Sequence, residues 1–218
     1  MKNKIFTALF GIAVFFFIIT FSIGLPIYCR FFYYLQINAL SLPQETGYSY
    51  EQIKQAFDEV MNYLTLPNQP FGTGVFKFTQ SGASHFADCK VLFNLNAIVL
   101  SISSALLITI FILKKLKKIE LVRPFNMSVS FISCSLILII ALILTIVVMI
   151  DFSQAFIVFH HVFFPGKDNW QFNPSETEII KILPEQFFMN SAILIGSSII
   201  IICLSVIIYQ LIKRKKNN

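Results

Sequence analysis

Four apolar runs, 5–27, 91–113, 125–150 and 192–212, divide the chain into short polar pieces and two longer mixed ones. No Asp, Glu, Lys, Arg or His falls inside any of them. Each is long enough to cross a hydrocarbon layer, which takes roughly 20 residues of helix. Lipid offers no partner to a free backbone amide or carbonyl, so each run must be helical. The first run follows Lys2 and Lys4 but is too long for the apolar part of a cleaved signal, and no small-x-small site follows it. Tyr28, bulky before Cys29, also speaks against a lipoprotein-type signal, and the run is read as a retained span.

The pattern therefore predicts an all-α membrane protein with four transmembrane helices and a small extracellular cap. The pieces are spans 5–27, 91–113, 125–150 and 192–212, a cap at 28–90, a basic loop at 114–124, a second long loop at 151–191 and a basic tail at 213–218. Composition agrees, at 56% hydrophobic and 13% charged residues with 25 Phe against one Trp.

Charge sets the expected orientation. With the N-terminus inside, the inner pieces hold 11 basic residues and one acidic residue, Glu120, and the outer pieces hold six basic and ten acidic. That asymmetry predicts cytoplasmic termini and a cell-membrane location. The net charge of +6 thus reads as an anchor to anionic lipid, and no nucleic-acid partner is expected.

Within the cap, SYEQIKQAFDEVMNYL places Ile53, Phe57, Val60, Met61 and Leu64 at helical spacing, and Ser49 with Gln52 has the spacing of a capping box. Beyond Pro67, Pro70 and Gly72, the alternation of Val75, Lys77 and Thr79 against Phe76, Phe78 and Gln80 suggests a short strand or extended arm. Cys134 and Cys203 lie in spans as apolar packers. Cys29 and Cys89 fall near outer span ends, where spacing alone does not establish a disulfide.

Two stretches carry chemistry. SHFADCKVLF, 84–93, runs into the second span, and a helix starting at Ser84 would set His85, Asp88 and Cys89 at i, i+3 and i+4. FHHVFFPGKDNW, 159–170, follows the third span. On a helix, Phe156, Phe159, His160, Phe163 and Phe164 form one aromatic face, while His161 points away with Val158 and Pro165. Trp170 suits an interface anchor. All three histidines thus lie near the membrane on the outer side. Three chemistries compete for them: zinc binding, a hydrolase with Ser84 as nucleophile, and acid–base work on a substrate that brings its own nucleophile. Outside enzymes, a membrane scaffold or zinc-binding accessory protein is the alternative. A transporter is disfavoured, because no span holds an ionisable residue.

Two motifs, GASHFADCKVLF, and FHHVFFPGKDNWQFNP with the IIKILPEQFF that closes the loop, carry a resemblance to the bacterial lipoprotein intramolecular transacylases, found mainly in Gram-positive bacteria. The resemblance implies an acyltransferase that moves the sn-2 acyl chain of a diacylglyceryl lipoprotein to the α-amino group of its N-terminal cysteine, giving the lyso form without an acyl-enzyme stage; no cofactor or metal is expected. It implies a catalytic pair at His85 and His160. Ser84, Phe86, Asp88, Phe159, His161, Phe163, Phe164 and Trp170 are the expected substrate-binding or orienting residues, with Asp88 the orienter. The Ser84 hydroxyl, the Trp170 indole and exposed helix amides are candidate oxyanion donors. Membrane lipids and the lipoprotein substrate are the expected partners of a monomer.

Overall fold

The computed structural model describes residues 3–217, and Lys2 of the basic N-terminal pair lies outside them. Among the described residues there is no strand. The helices are α1 (Lys4–Tyr28), α2 (Arg30–Ala39), α3 (Leu42–Thr46), α4 (Tyr50–Thr65), α5 (Gln80–Lys115), α6 (Val129–Ile150), α7 (Phe152–Phe163) and α8 (Glu185–Asn217), with 3-10 turns at Pro124–Asn126 and Glu178–Ile182. Four of them, α1, α5, α6 and α8, are long and apolar enough to cross a membrane. The chain divides into two compact units, one of residues 1–23, 96–147 and 194–218, the other of 24–95 and 148–193.

The first unit is built from span helices. Val14 and Ile18 of α1, Cys134 and Ile137 of α6 and Cys203 of α8 form its buried core. Gly11 lets α1 and α6 approach closely: a Cβ there would lie 2.7 Å from Val129 Cγ1, and Ser133 Oγ donates to the Gly11 carbonyl across the same contact. Most other apolar side chains of α6 face outward, among them Leu142, Ile143 and Leu144. Apolar residues all round a helix suit lipid, not water. The third span helix, α6, begins at Val129, later than the 125–150 run suggests. Phe125 and Asn126 take positive φ in the 3-10 turn, and Ser128 Oγ accepts from the Phe131 amide at the helix start.

The second unit holds both histidine motifs. Ser49 caps α4 with the full capping box, and the Ile53–Leu64 stripe is buried. Its centre is an aromatic nest. Tyr33 stacks on Phe57 with centroids 3.6 Å apart, Phe187 meets Tyr33 edge-on, and the Tyr33 hydroxyl donates to the Ile182 carbonyl at 2.7 Å. These contacts tie α2, α4, the Glu178–Ile182 turn and the start of α8 together.

The 71–80 segment is not a strand, because no second strand lies beside it. Its backbone is satisfied instead by side chains and by one distant loop. Gly74 has φ 56, in the left-handed region open to glycine, and donates its amide to Glu59; Lys77 and Glu178 exchange bonds, the Glu178 amide donating to the Lys77 carbonyl at 2.8 Å.

Candidate active site

The start of α5 is set by Thr79, whose Oγ1 accepts from the Gly82 amide at 3.0 Å and also meets Thr177 Oγ1 at 2.9 Å. The helix therefore begins at Gln80 and not at Ser84. Gly82 is needed where Thr177 passes, since a Cβ would sit 2.9 Å from Thr177 Cγ2. At 36 residues α5 is about 54 Å long, well beyond the roughly 30 Å of hydrocarbon, and His85 lies in its first turns, ahead of the apolar 91–113 run.

The other histidine comes from α7. Asp151 caps that helix by accepting from the Gln154 amide at 3.0 Å. Two turns later His160 Nδ1 lies 2.7 Å from the Phe156 carbonyl. A carbonyl can only accept, so Nδ1 carries the proton and Nε2 presents the lone pair. The turn after α7 folds back, with Gly166 at φ 71 and the Lys167 amide donating to the Phe164 carbonyl. It lays the Trp170 ring on His160, centroids 4.6 Å apart and planes within 28°.

These elements bring the two rings together. His85 and His160 are both buried, with centroids 5.7 Å apart. Phe164 and Phe172 meet His85 edge-on at 4.9 and 5.5 Å, and Phe156 lies 4.3 Å from His160. Phe86 packs beneath, stacked on Phe172 and tilted against Phe71. Beside the pair, a cavity of about 220 Å³ is lined by Phe156, Trp170, Phe172, Leu183, Glu185 and Phe188.

Burial dominates the electrostatics. It pushes His85 down to about 4, assisted by the charge His160 would carry and opposed by Asp88. His160 is lowered as well, by burial first and by His161 in part, against the favourable Phe156 carbonyl. Both rings are therefore neutral at neutral pH. Cys89 Sγ lies 3.4 Å from His85 Nε2, and burial raises its thiol to about 12, which makes it a weak donor and not a thiolate nucleophile. Cys29 is likewise a free thiol, so no disulfide joins the two.

Several expected site residues are placed differently. Ser84 is exposed, about 100° round α5 from His85. Phe159 and Phe163 pack on each other at 4.6 Å but are about half exposed, so the inward face of α7 is narrower than five aromatics: Phe156 and His160 turn in, followed by Phe164. His161 is exposed and meets only the edge of Trp170. The Trp170 indole donates to the Lys167 carbonyl at 3.0 Å, which leaves no N–H for an oxyanion. Asp88 does not bond His85; its carboxylate receives Lys167 Nζ and Asn169 Nδ2. Burial alone would raise its carboxyl, but those two donors hold it below the usual range. Among the described residues no group of three or more His, Cys, Asp or Glu side chains is arranged to hold a metal.

Sequence reasoning missed Asn169 and Phe172. Only their place beside Trp170 in the returning loop hinted at a role.

The family profile described as lipoprotein intramolecular transacylase Lit matches residues 8–188, most of the chain. The chain belongs to the Lit family. It is accordingly an acyltransferase of lipoproteins in the membrane. Among solved structures it resembles Lit from Bacillus cereus, with 24% identity over 97% of each chain and a TM-score of 0.84. A histidine-to-arginine variant of that protein is similar at a TM-score of 0.77, again with 24% identity, over 98% of this chain and 94% of that one. At that identity the likeness speaks for the fold. A comparison with curated protein sequences finds no match.

Proposed function

We propose that this Lit-family chain moves the sn-2 acyl group of a diacylglyceryl lipoprotein onto the α-amino nitrogen of the lipoprotein's N-terminal cysteine, with His85 and His160 carrying the protons. The observation that supports this reading is two neutral imidazoles, 75 positions apart in sequence, buried 5.7 Å apart in an aromatic pocket. Ester and amine belong to one molecule, so bringing them together is the enzyme's first task. Good positioning of that kind supplies about 7 to 11 kcal/mol. Phe156, Phe172 and Phe188 beside the rings exclude the water that would otherwise hydrolyse the ester.

One imidazole takes a proton from the α-ammonium group, and the freed amine attacks the ester carbonyl. The second imidazole takes the further proton that the nitrogen sheds. The first then returns its proton to the departing glycerol oxygen. The C–O bond breaks as the C–N bond forms, and one proton passes to solvent. Trp170, stacked on His160, supports the imidazolium while it lasts. The charge asymmetry of the loops supports cytoplasmic termini and a site on the outer side.

The test is mass spectrometry of a synthetic diacylglyceryl lipopeptide incubated with purified protein. The reading predicts an unchanged parent mass with one acyl chain relocated to the N-terminal amide fragment. Recovery of unaltered substrate, or of free fatty acid and a deacylated peptide, would overturn it.

A further inference from the structure

Two buried polar atoms in the second unit, His85 Nδ1 and Asn169 Oδ1, have no hydrogen-bond partner among the described residues, each other included, although Asn169 is bonded to Asp88, one helical turn from His85. A buried donor or acceptor left unpaired costs about 1 to 3 kcal/mol, so a donor and an acceptor left over around one side chain call for a reason. An amide oxygen turned toward that ring favours its protonated form, against the burial that lowers it.

The orientation of that amide is fixed from behind. Asn169 Nδ2 donates to Asp88 Oδ2 at 3.0 Å, and a carboxylate only accepts, so the amide nitrogen is held on Asp88 and the oxygen is the end left over. Lys167 Nζ binds the other Asp88 oxygen and holds the carboxylate in place. Asp88 itself is one turn along α5 from His85, and its two partners come from the loop after α7. On the other side of the ring, Cys89 meets Nε2 at 3.4 Å with a thiol that burial keeps protonated, which gives it a hydrogen to offer that nitrogen. An amide oxygen near Nδ1 and a thiol hydrogen at Nε2 suit one tautomer, with the proton on Nδ1 and the lone pair on Nε2.

We propose that Asn169 is a positioning residue of the site, its side-chain oxygen receiving the His85 Nδ1 proton while Asp88 holds its amide nitrogen, so that His85 presents Nε2 as the base. His160 reaches the same state by a different route, through the Phe156 carbonyl. The two rings then offer matching lone pairs to one substrate. A thiol is a weak partner for Nε2 and is readily displaced by an incoming amine. The role of Asp88 becomes indirect: it orients the amide that orients the ring.

The proposal rests on the reading of His85 as one of the proton-carrying pair, but its primary test does not need turnover. The chain has three histidines, so nitrogen NMR of histidine-labelled protein in micelles resolves each ring, with His85 assigned by His85→Ala. At neutral pH the wild-type His85 is expected as the Nδ1–H tautomer. Asn169→Ala should move it toward the Nε2–H form that prevails in water, and should lower kcat for lipopeptide by about 10- to 100-fold with KM little changed, the range typical of losing the partner behind a functional histidine. An unfolding midpoint matched to wild type guards against a fold defect in the alanine variant, and Asp88→Ala, which releases the Asn169 amide, should shift the His85 tautomer in the same direction. An unchanged His85 nitrogen pair in Asn169→Ala, or an Nε2–H tautomer in the wild type, would overturn the proposal. If the wild type showed the expected tautomer but no acyl transfer, the fault would lie in the proposed reaction and not in the role of Asn169.

Discussion

His85→Ala and His160→Ala are each expected to lower lipopeptide transacylation by about 10²- to 10⁴-fold, the usual worth of a positioned proton-transfer group. His161→Ala, at an exposed neighbour that touches only the edge of Trp170, should stay close to wild type. The contrast between adjacent histidines separates chemistry from local structure. The two buried rings face one substrate, so their losses should not add: the double variant is expected to fall little below the poorer single one. Rates come from the mass-spectrometric assay, and circular dichroism with thermal unfolding checks that each variant folds. Full activity in either buried-histidine variant would remove that residue from the mechanism, and loss of activity in His161→Ala would reassign the pair.

Phe57→Ala is expected to cost about 3 to 5 kcal/mol of stability, the usual range for emptying a large aromatic site in a packed core. Phe57 is 3% exposed and lies flat on Tyr33, with Phe187 against both rings. Removing it leaves Tyr33 with one face bare and loosens the hydroxyl that holds the Ile182 carbonyl. The Glu178–Ile182 turn carries the loop that returns past Phe172 and Trp170, so activity should fall as well. For a chain of this size the unfolding midpoint in detergent should drop by on the order of 10 °C. Phe159→Ala is the comparison: that ring is 46% exposed and should shift the midpoint little. A Phe57→Ala midpoint equal to that of Phe159→Ala would contradict the packing account.

The four spans were plain in the sequence because apolar runs without a charge have one stable solution in lipid. The α4 helix was equally plain, since Ser49 and Gln52 mark its start and its apolar stripe has helical period. Where partners are distant in sequence, local pattern failed. The start of α5 depends on Thr79 meeting Thr177, 98 positions away, and Ser84 looked the better cap only because that contact was out of sight. The alternation at 75–80 resembled a strand, yet a strand requires a second one, and the backbone at Lys77 bonds to Glu178 instead, as Gly74 just before it bonds to Glu59.

The candidate site was legible to a similar depth. Helical phase separates His160 from His161, and the sequence already sets His85 and Asp88 on neighbouring turns. It did not reveal that Phe159 and Phe163 turn outward, because an aromatic face near a membrane serves equally to line a pocket or to meet lipid. Asn169 was hidden for a different reason. In PGKDN it reads as a turn former, and only the folded loop sets its amide on Asp88, one turn along α5 from His85.

The central claim is that two imidazoles are kept neutral side by side in a water-poor aromatic pocket. The sign of the effect is definite: burial lowers both ring pKa values, so the unfolded chain binds protons first and stability declines as pH falls from about 6.5 toward the folded value. Nitrogen NMR titration of His85 and His160 in the folded protein tests this most directly. The account predicts that both rings remain neutral as pH passes down through 6.5, His85 until about pH 4. Protonation of His85 at or above 6.5 would contradict it.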